Sequence, residues 1–215
     1  MESPFRASDD PDFRLIETFA FVPNLGVARL ELHLARMARS AEVFGSDFDL
    51  SQARGGVAGL SGAVPLRCRL TLAPDGRFEL TTTAIPAPAD RWRFAIADTS
   101  LWSGDLFLRH KTTRRGVYDS ARHALPTEID ELVFCNERGE ICEGTITNIV
   151  VTLEKGPRVT PPLSSGCLPG VYRQSLIDAG HVREAVLTVA DLRDAKAIHL
   201  VNALRGEIPA VLIEK

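Results

Sequence analysis

Leu30, Leu34, Met37, Ala38, Ala41 and Phe44 recur at intervals of three and four residues, and only a helix gathers such positions on one face. This stripe, within Arg29–Phe44, is the strongest constraint on how the chain folds. The apolar runs around it are short. Arg14–Val22 and Trp92–Ala97 read as strands, and Leu66–Leu72 with Phe78–Thr83 as a hairpin around Asp75-Gly76. Residues 1–12 are polar and acidic, which predicts disorder. Leu101-Trp102-Ser103-Gly104-Asp105 breaks the pattern and reads as a linker, so residues 13–100 form one lobe and 106–215 a second, larger one. That second lobe is expected to hold a strand ending at Lys111, helices over Arg115–Ala124 and Gly170–Ala179, and strands at Glu131–Cys135, Glu140–Cys142, Asn148–Leu153, Val182–Thr188, Ala197–Val201 and Ile208–Ile213.

The chain has four lysines against 21 arginines. Lys155 lies in a Glu-Lys-Gly turn, Lys196 in a charged stretch, and Lys215 is the last residue. Lys111 differs, because it sits where the apolar run Leu106-Phe107-Leu108 gives way to polar residues. An amine placed beside a pocket can bond covalently to a carbonyl carbon. About thirty residues on, Cys142-Glu143-Gly144-Thr145-Ile146-Thr147-Asn148 sets a carboxylate before a turn that leads into a β-branched strand. These parts suit a phosphorylated aromatic aldehyde. Lys111 would hold the aldehyde, and Glu143 would keep a ring nitrogen protonated. The backbone N–H groups of Thr145, Ile146 and Thr147, with the two threonine hydroxyls, suit a phosphate, and Asn148 is a further candidate. Each feature alone also fits a surface lysine or a plain turn.

Three segments then occur in a telling order: His110-Lys111-Thr112-Thr113-Arg114-Arg115-Gly116-Val117-Tyr118-Asp119, Asn136–Asn148, and Thr160–Arg173 with its Leu-Pro-Gly-Val-Tyr-Arg end. Together they resemble the class IV aminotransferases, pyridoxal-phosphate enzymes of fold type IV, from about Phe13 to the C-terminus. The resemblance implies an α+β, two-lobed fold with a small N-terminal lobe, a larger strand-rich C-terminal lobe and the cofactor between them. It implies that Lys111 and Glu143 play the roles given above. His33-Leu34-Ala35-Arg36 fits the family's His-x-x-Arg motif, making Arg36 a phosphate-binding residue, and Asn202-Ala203-Leu204-Arg205-Gly206 fits a second phosphate turn through Ala203 and Leu204. Arg115 and Tyr118 fall where relatives place groups near the cofactor hydroxyl. Arg109, two residues before Lys111 and on the same side of an extended strand, is a candidate for phosphate, substrate carboxylate or a structural ion pair.

Within the family, Phe13–Thr18, Leu32–Met37 and the Asn-Ala-Leu-Arg-Gly turn are most similar to 4-amino-4-deoxychorismate lyase. The expected reaction is conversion of aminodeoxychorismate to 4-aminobenzoate and pyruvate, in folate biosynthesis. The alternatives are an aminotransferase acting on branched-chain or D-amino acids, and a cofactor-binding protein without catalysis. The resemblance also implies a homodimer, and a separate chorismate-aminating subunit as a possible partner.

Composition agrees. A net charge of −3 and a pI near 6.0 give no footprint for nucleic acid or an anionic membrane. No apolar run approaches the roughly 18–20 residues that span a bilayer. The start of the chain lacks a signal-peptide pattern, and the four cysteines lack metal-ligand spacing, which points to free thiols and a cytoplasmic protein.

Overall fold

The computed structural model describes residues 5–88 and 90–214, and the chain divides into two compact units. The first comprises residues 1–87 and 110–114, the second residues 88–109 and 115–215. The division therefore does not fall at the expected linker 101–105. Residues 101–109 belong to the second unit, and the chain returns to the first for the five residues around Lys111.

In the first unit, β1 (Leu15–Val22), β2 (Gly26–Val27), β3 (Leu66–Leu72) and β4 (Phe78–Ala84) form an antiparallel sheet in the order β2-β1-β3-β4. Helix α1 (Leu30–Phe44) buries Leu34, Met37, Ala41 and Phe44, the face expected from the stripe. Helix α2 (Leu50–Ala58) is not evident from the sequence, because Gly55-Gly56 at its centre costs about 1 kcal/mol per glycine relative to alanine. The overlooked start signal is Asp49, whose carboxylate accepts from the N–H groups of Ser51 (2.8 Å) and Gln52 (3.0 Å). Residues 5–12 are placed, contrary to the expected disorder. Ala7 is buried, and the Phe5 ring packs edge-on against Phe13 and Phe44. The part of that expectation covering residues 1–4 lies outside the described residues.

The second unit is built on an eight-stranded mixed sheet. Its elements, in chain order, are β5 (Trp92–Ile96), α3 (Gly116–His123), β6 (Glu131–Cys135), β7 (Ile141–Gly144), β8 (Asn148–Leu153), β9 (Arg158–Thr160), α4 (Val171–Asp178), β10 (Arg183–Glu184), α5 (Val189–Arg193), β11 (Ala195–Asn202) and β12 (Gly206–Leu212). The strand order is β10-β9-β8-β11-β12-β5-β6-β7. Phe94, Val133, Ile141, Ile149, Val151 and Leu200 are fully buried in its main core. Two expectations fail here. Leu106–Arg109 is a 3-10 turn and not a strand. Val182–Thr188 keeps only the two-residue β10, because Thr188 and Asp191 form a capping box that starts α5.

Candidate active site

The first unit ties Lys111 to the sheet through its backbone. The Ile16 N–H donates to the Lys111 carbonyl (2.8 Å), Thr113 N–H donates to Arg14 O (2.9 Å), and Leu15 and Thr112 form an isolated bridge. Segment 110–114 is thus an added rung on β1, and the half-buried Lys111 side chain leaves from a fixed backbone. One residue beyond Ile16, Glu17 is buried on the same strand. It accepts from Arg36 through Nε (2.8 Å) and Nη2 (2.6 Å), and lies 2.5 Å from His33 Nδ1. Burial pushes the Glu17 carboxyl up, but the Arg36 guanidinium and His33 outweigh it and bring the value down to about 2. His33, Arg36 and Ser40 form one buried face of α1, with Arg36 held bidentately by a carboxylate. His110 Nδ1 lies 2.9 Å from Ser40 Oγ and its ring packs on Phe44, a structural role.

In the second unit, β7 delivers Glu143 and β8 begins at Asn148, with a tight turn between them closed by Gly144 N–H to Thr147 O (2.7 Å). Three donors converge on Glu143. Tyr118 OH donates to Oε1 (2.7 Å), while Leu168 N–H (3.0 Å) and Asn148 Nδ2 (3.3 Å) donate to Oε2. Burial first, and then the Glu143 charge, drive the Tyr118 phenol far above its usual range, so it remains a donor. Asn148 also donates to Leu168 O (2.9 Å), which bolts β8 to the segment leading into α4. A Cβ at Gly170 would fall 1.8 Å from Asn148 Oδ1, so only glycine permits this approach.

The turn itself behaves unlike its sequence reading. Its anion-binding groups already hold an anion, the fully buried carboxylate of Glu131. Glu131 accepts from Thr145 N–H (3.1 Å), Ile146 N–H (3.2 Å), Thr147 Oγ1 (3.2 Å), Leu132 N–H (3.0 Å), Arg122 Nη1 (3.4 Å) and, at close range, Thr145 Oγ1. A Cβ on Gly144 would meet Thr147 Oγ1 at 2.4 Å and Glu131 Cδ at 3.0 Å. Thr145, Ile146 and Thr147, the residues expected at a phosphate, donate here to Glu131. Sequence reasoning missed Glu131 because its partners lie fourteen to sixteen residues away across the β6–β7 hairpin.

The remaining candidates also find definite places. Arg115 donates to Asp119 (2.7 Å) and to Thr145 O (3.0 Å), which makes it a strap on the turn. Arg109 does not share a strand with Lys111. It caps the 3-10 turn and points Nη2 at the carbonyls of Ser103 (3.4 Å) and Leu163 (3.3 Å). Ala203 and Leu204 lie in the β11–β12 turn, where Asn202 Oδ1 accepts from Leu204 N–H (3.1 Å) and Arg205 N–H (2.8 Å). The Tyr172 ring lies against Gly206, so this turn neighbours the start of α4, whose N-cap residue Gly170 has no side chain. The N–H groups of a helix start suit a phosphate. The sequence signal for them is Pro169-Gly170 ahead of the helix. Cys68, Cys135, Cys142 and Cys167 are free, and burial raises the Cys167 thiol to about 12. Among the described residues, no group of acidic, histidine or cysteine side chains could hold a metal, and no helix is long and apolar enough to cross a membrane.

The sequence pattern of the family "Amino-transferase class IV" matches residues 14–213. The chain belongs to the class IV aminotransferases. These are pyridoxal-phosphate enzymes of fold type IV, and the α+β architecture agrees with that fold. A solved class IV relative from Mesorhizobium loti, provisionally named an amino-acid aminotransferase, is 42% identical, with a TM-score of 0.88 over 94% of this chain and 100% of that one. The 4-amino-4-deoxychorismate lyase of Pseudomonas aeruginosa has a TM-score of 0.81 over 100% of this chain and 88% of its own, but at 21% identity it shows the fold alone. The aminodeoxychorismate lyase of Saccharomyces cerevisiae is 29% identical over 143 residues, 58% of this chain and 38% of that protein. The chain thus spans well under half the length of that curated relative.

Proposed function

We propose that this class IV enzyme is a pyridoxal-phosphate lyase that converts 4-amino-4-deoxychorismate to 4-aminobenzoate and pyruvate. The observation that carries the cofactor assignment is the Glu143 carboxylate, buried and oriented by three donors as a partner for a ring nitrogen needs to be. Likeness to the yeast lyase supports the choice of reaction. The residue types fit the cofactor: in the first unit Lys111 would hold the aldehyde and Arg36 the phosphate, and in the second Glu143 would hold the ring nitrogen and the Ala203-Leu204 turn the phosphate. Bound there, pyridoxal phosphate supplies an electron-withdrawing ring for the breaking of bonds next to the substrate amine.

The chain's own residues supply the rest. Lys111 would then supply the amine that removes the proton from the substrate ring carbon. The ether C–O bond breaks, and Lys111 returns a proton to the departing three-carbon unit as it leaves as pyruvate. Glu17 keeps Arg36 in position throughout, and Asn148 with the Leu168 N–H does the same for Glu143. A homodimer in the cytoplasm, supplied by a separate chorismate-aminating subunit, completes the reading.

The 42% identical relative, named an amino-acid aminotransferase, favours a second reading, an aminotransferase. An aminotransferase needs a keto-acid acceptor and a lyase does not. Purified protein loaded with cofactor should therefore release pyruvate from aminodeoxychorismate without 2-oxoglutarate. Turnover of branched-chain L-amino acids or D-alanine that requires 2-oxoglutarate would replace the lyase assignment. Cofactor binding with no turnover of any amine would leave a non-catalytic protein.

A further inference from the structure

Helix α3 has no buried residue, yet it is held firmly to the second unit. Beside the apolar packing of Tyr118 and Ala121, its polar contacts come from the N-cap residue Arg115, from Tyr118 and from Arg122, spaced i, i+3 and i+7. All three reach the same short stretch. Arg115 donates to Thr145 O, Arg122 to Thr145 Oγ1, and Tyr118 to Glu143 Oε1. A helix usually docks through an apolar stripe. This one docks mainly through polar groups aimed at the end of β7, with Tyr118 as the middle contact.

Tyr118 is also fixed on its other side. Its ring packs edge-on against Phe134 at 5.3 Å and joins the cluster of Leu101, Leu108, Phe134 and Cys142, while the Arg115 guanidinium lies 5.6 Å from its centre. The phenol therefore has little freedom, and its hydroxyl points at a carboxylate oxygen at 2.7 Å. With Asn148 and the Leu168 N–H on the other oxygen, the plane of the Glu143 carboxylate is determined.

We infer that Tyr118 is a positioning residue for Glu143: by donating to Oε1 it sets the orientation in which the carboxylate meets the ring nitrogen of the cofactor. The inference rests on the reading of Glu143 as that nitrogen's partner. It differs from a role in binding the cofactor's ring hydroxyl, since the phenol proton is already given to Glu143. Losing a hydrogen bond to a charged group weakens what that group holds by about tenfold or more.

The test is Tyr118→Phe, which keeps the ring on Phe134 and removes only the donor. Dissociation constants are measured by titrating cofactor-free protein with three probes: pyridoxal 5'-phosphate, its 1-deaza analogue with carbon in place of the ring nitrogen, and its 3-deoxy analogue without the ring hydroxyl. The variant should bind pyridoxal phosphate about tenfold more weakly than the unaltered protein. The same penalty should remain with the 3-deoxy analogue and disappear with the deaza analogue, at an unchanged melting temperature for cofactor-free protein. A merely structural tyrosine would weaken all three probes equally, and a hydroxyl-binding one would lose its penalty with the 3-deoxy analogue. Either pattern, or no penalty at all, overturns the inference. Failure of the unaltered protein to bind pyridoxal phosphate would overturn both the inference and the cofactor reading beneath it.

Discussion

Glu131 and Glu143 stand at opposite ends of one structural feature and could hardly be used more differently. Both are buried carboxylates on strands of the second sheet, and the turn Gly144–Thr147 lies between their environments. Glu131 receives six donors, five of them from residues 132 and 145–147 and one from Arg122. Such a carboxylate is saturated: it stabilises the turn and has little capacity for a ligand. Glu143 is held by donors that set its direction, from a helix, a strand and a connecting segment. On the proposed reading the same functional group is scaffold in one place and chemical partner in the other, and the neighbours make that difference.

Substitutions should separate the two roles, with the lysine as the outer reference. Lys111→Ala should abolish borohydride-trapped attachment of the cofactor and lower turnover by at least about a thousandfold, roughly 4 kcal/mol in the barrier. Retention of either at parental level removes the covalent chemistry to which Glu143 is matched. Glu131→Leu should act on folding, because it leaves several buried donors and Arg122 without their anion. Urea unfolding should show a loss of about 3–5 kcal/mol. A loss below about 1 kcal/mol would mean that the turn stands without its internal anion.

The first unit offers a control, since Glu17 is buried among charges and not among neutral donors. Its carboxyl lies at about 2 in the folded protein against an ordinary value of 4.5. A depressed carboxyl contributes stability that is fully present above 4.5 and is lost as pH falls towards 2. The shift corresponds to roughly 3 kcal/mol, and Glu17→Gln should flatten that part of the stability curve. Identical curves for the two proteins between pH 5 and 2 would show that the ion pair with Arg36 does not govern acid sensitivity. Finally, Glu143→Gln should leave the melting temperature of cofactor-free protein nearly unchanged and slow turnover about a hundredfold, near 2.7 kcal/mol. If it destabilised the protein as Glu131→Leu does, the contrast between the two carboxylates would collapse.

Local patterns were legible. The stripe of α1, the Asp75-Gly76 hairpin and strands β6 and β8 follow from periodicity and turn residues over fewer than about twenty positions. Where local signals competed, reading failed. Two glycines hid α2 despite the Asp49 cap, an apolar run before Lys111 suggested a strand where there is a 3-10 turn, and the Thr188–Asp191 box was overlooked beside a strand-like stretch. Lys111 and Glu143 could be singled out because their residue types and motif context are unusual. Their supports could not.

What the sequence determined by itself was the family, the candidate lysine and carboxylate, and most of the strands and helices, because those depend on residue type and short spacing. Only the tertiary structure decided which oxygen meets which donor. It filled the Thr145–Thr147 turn with Glu131, tied Arg36 to Glu17 across 19 positions, and brought Tyr118 to Glu143 across 25. A buried charge must find its partners wherever the fold brings donors together, and no local pattern records where that will be.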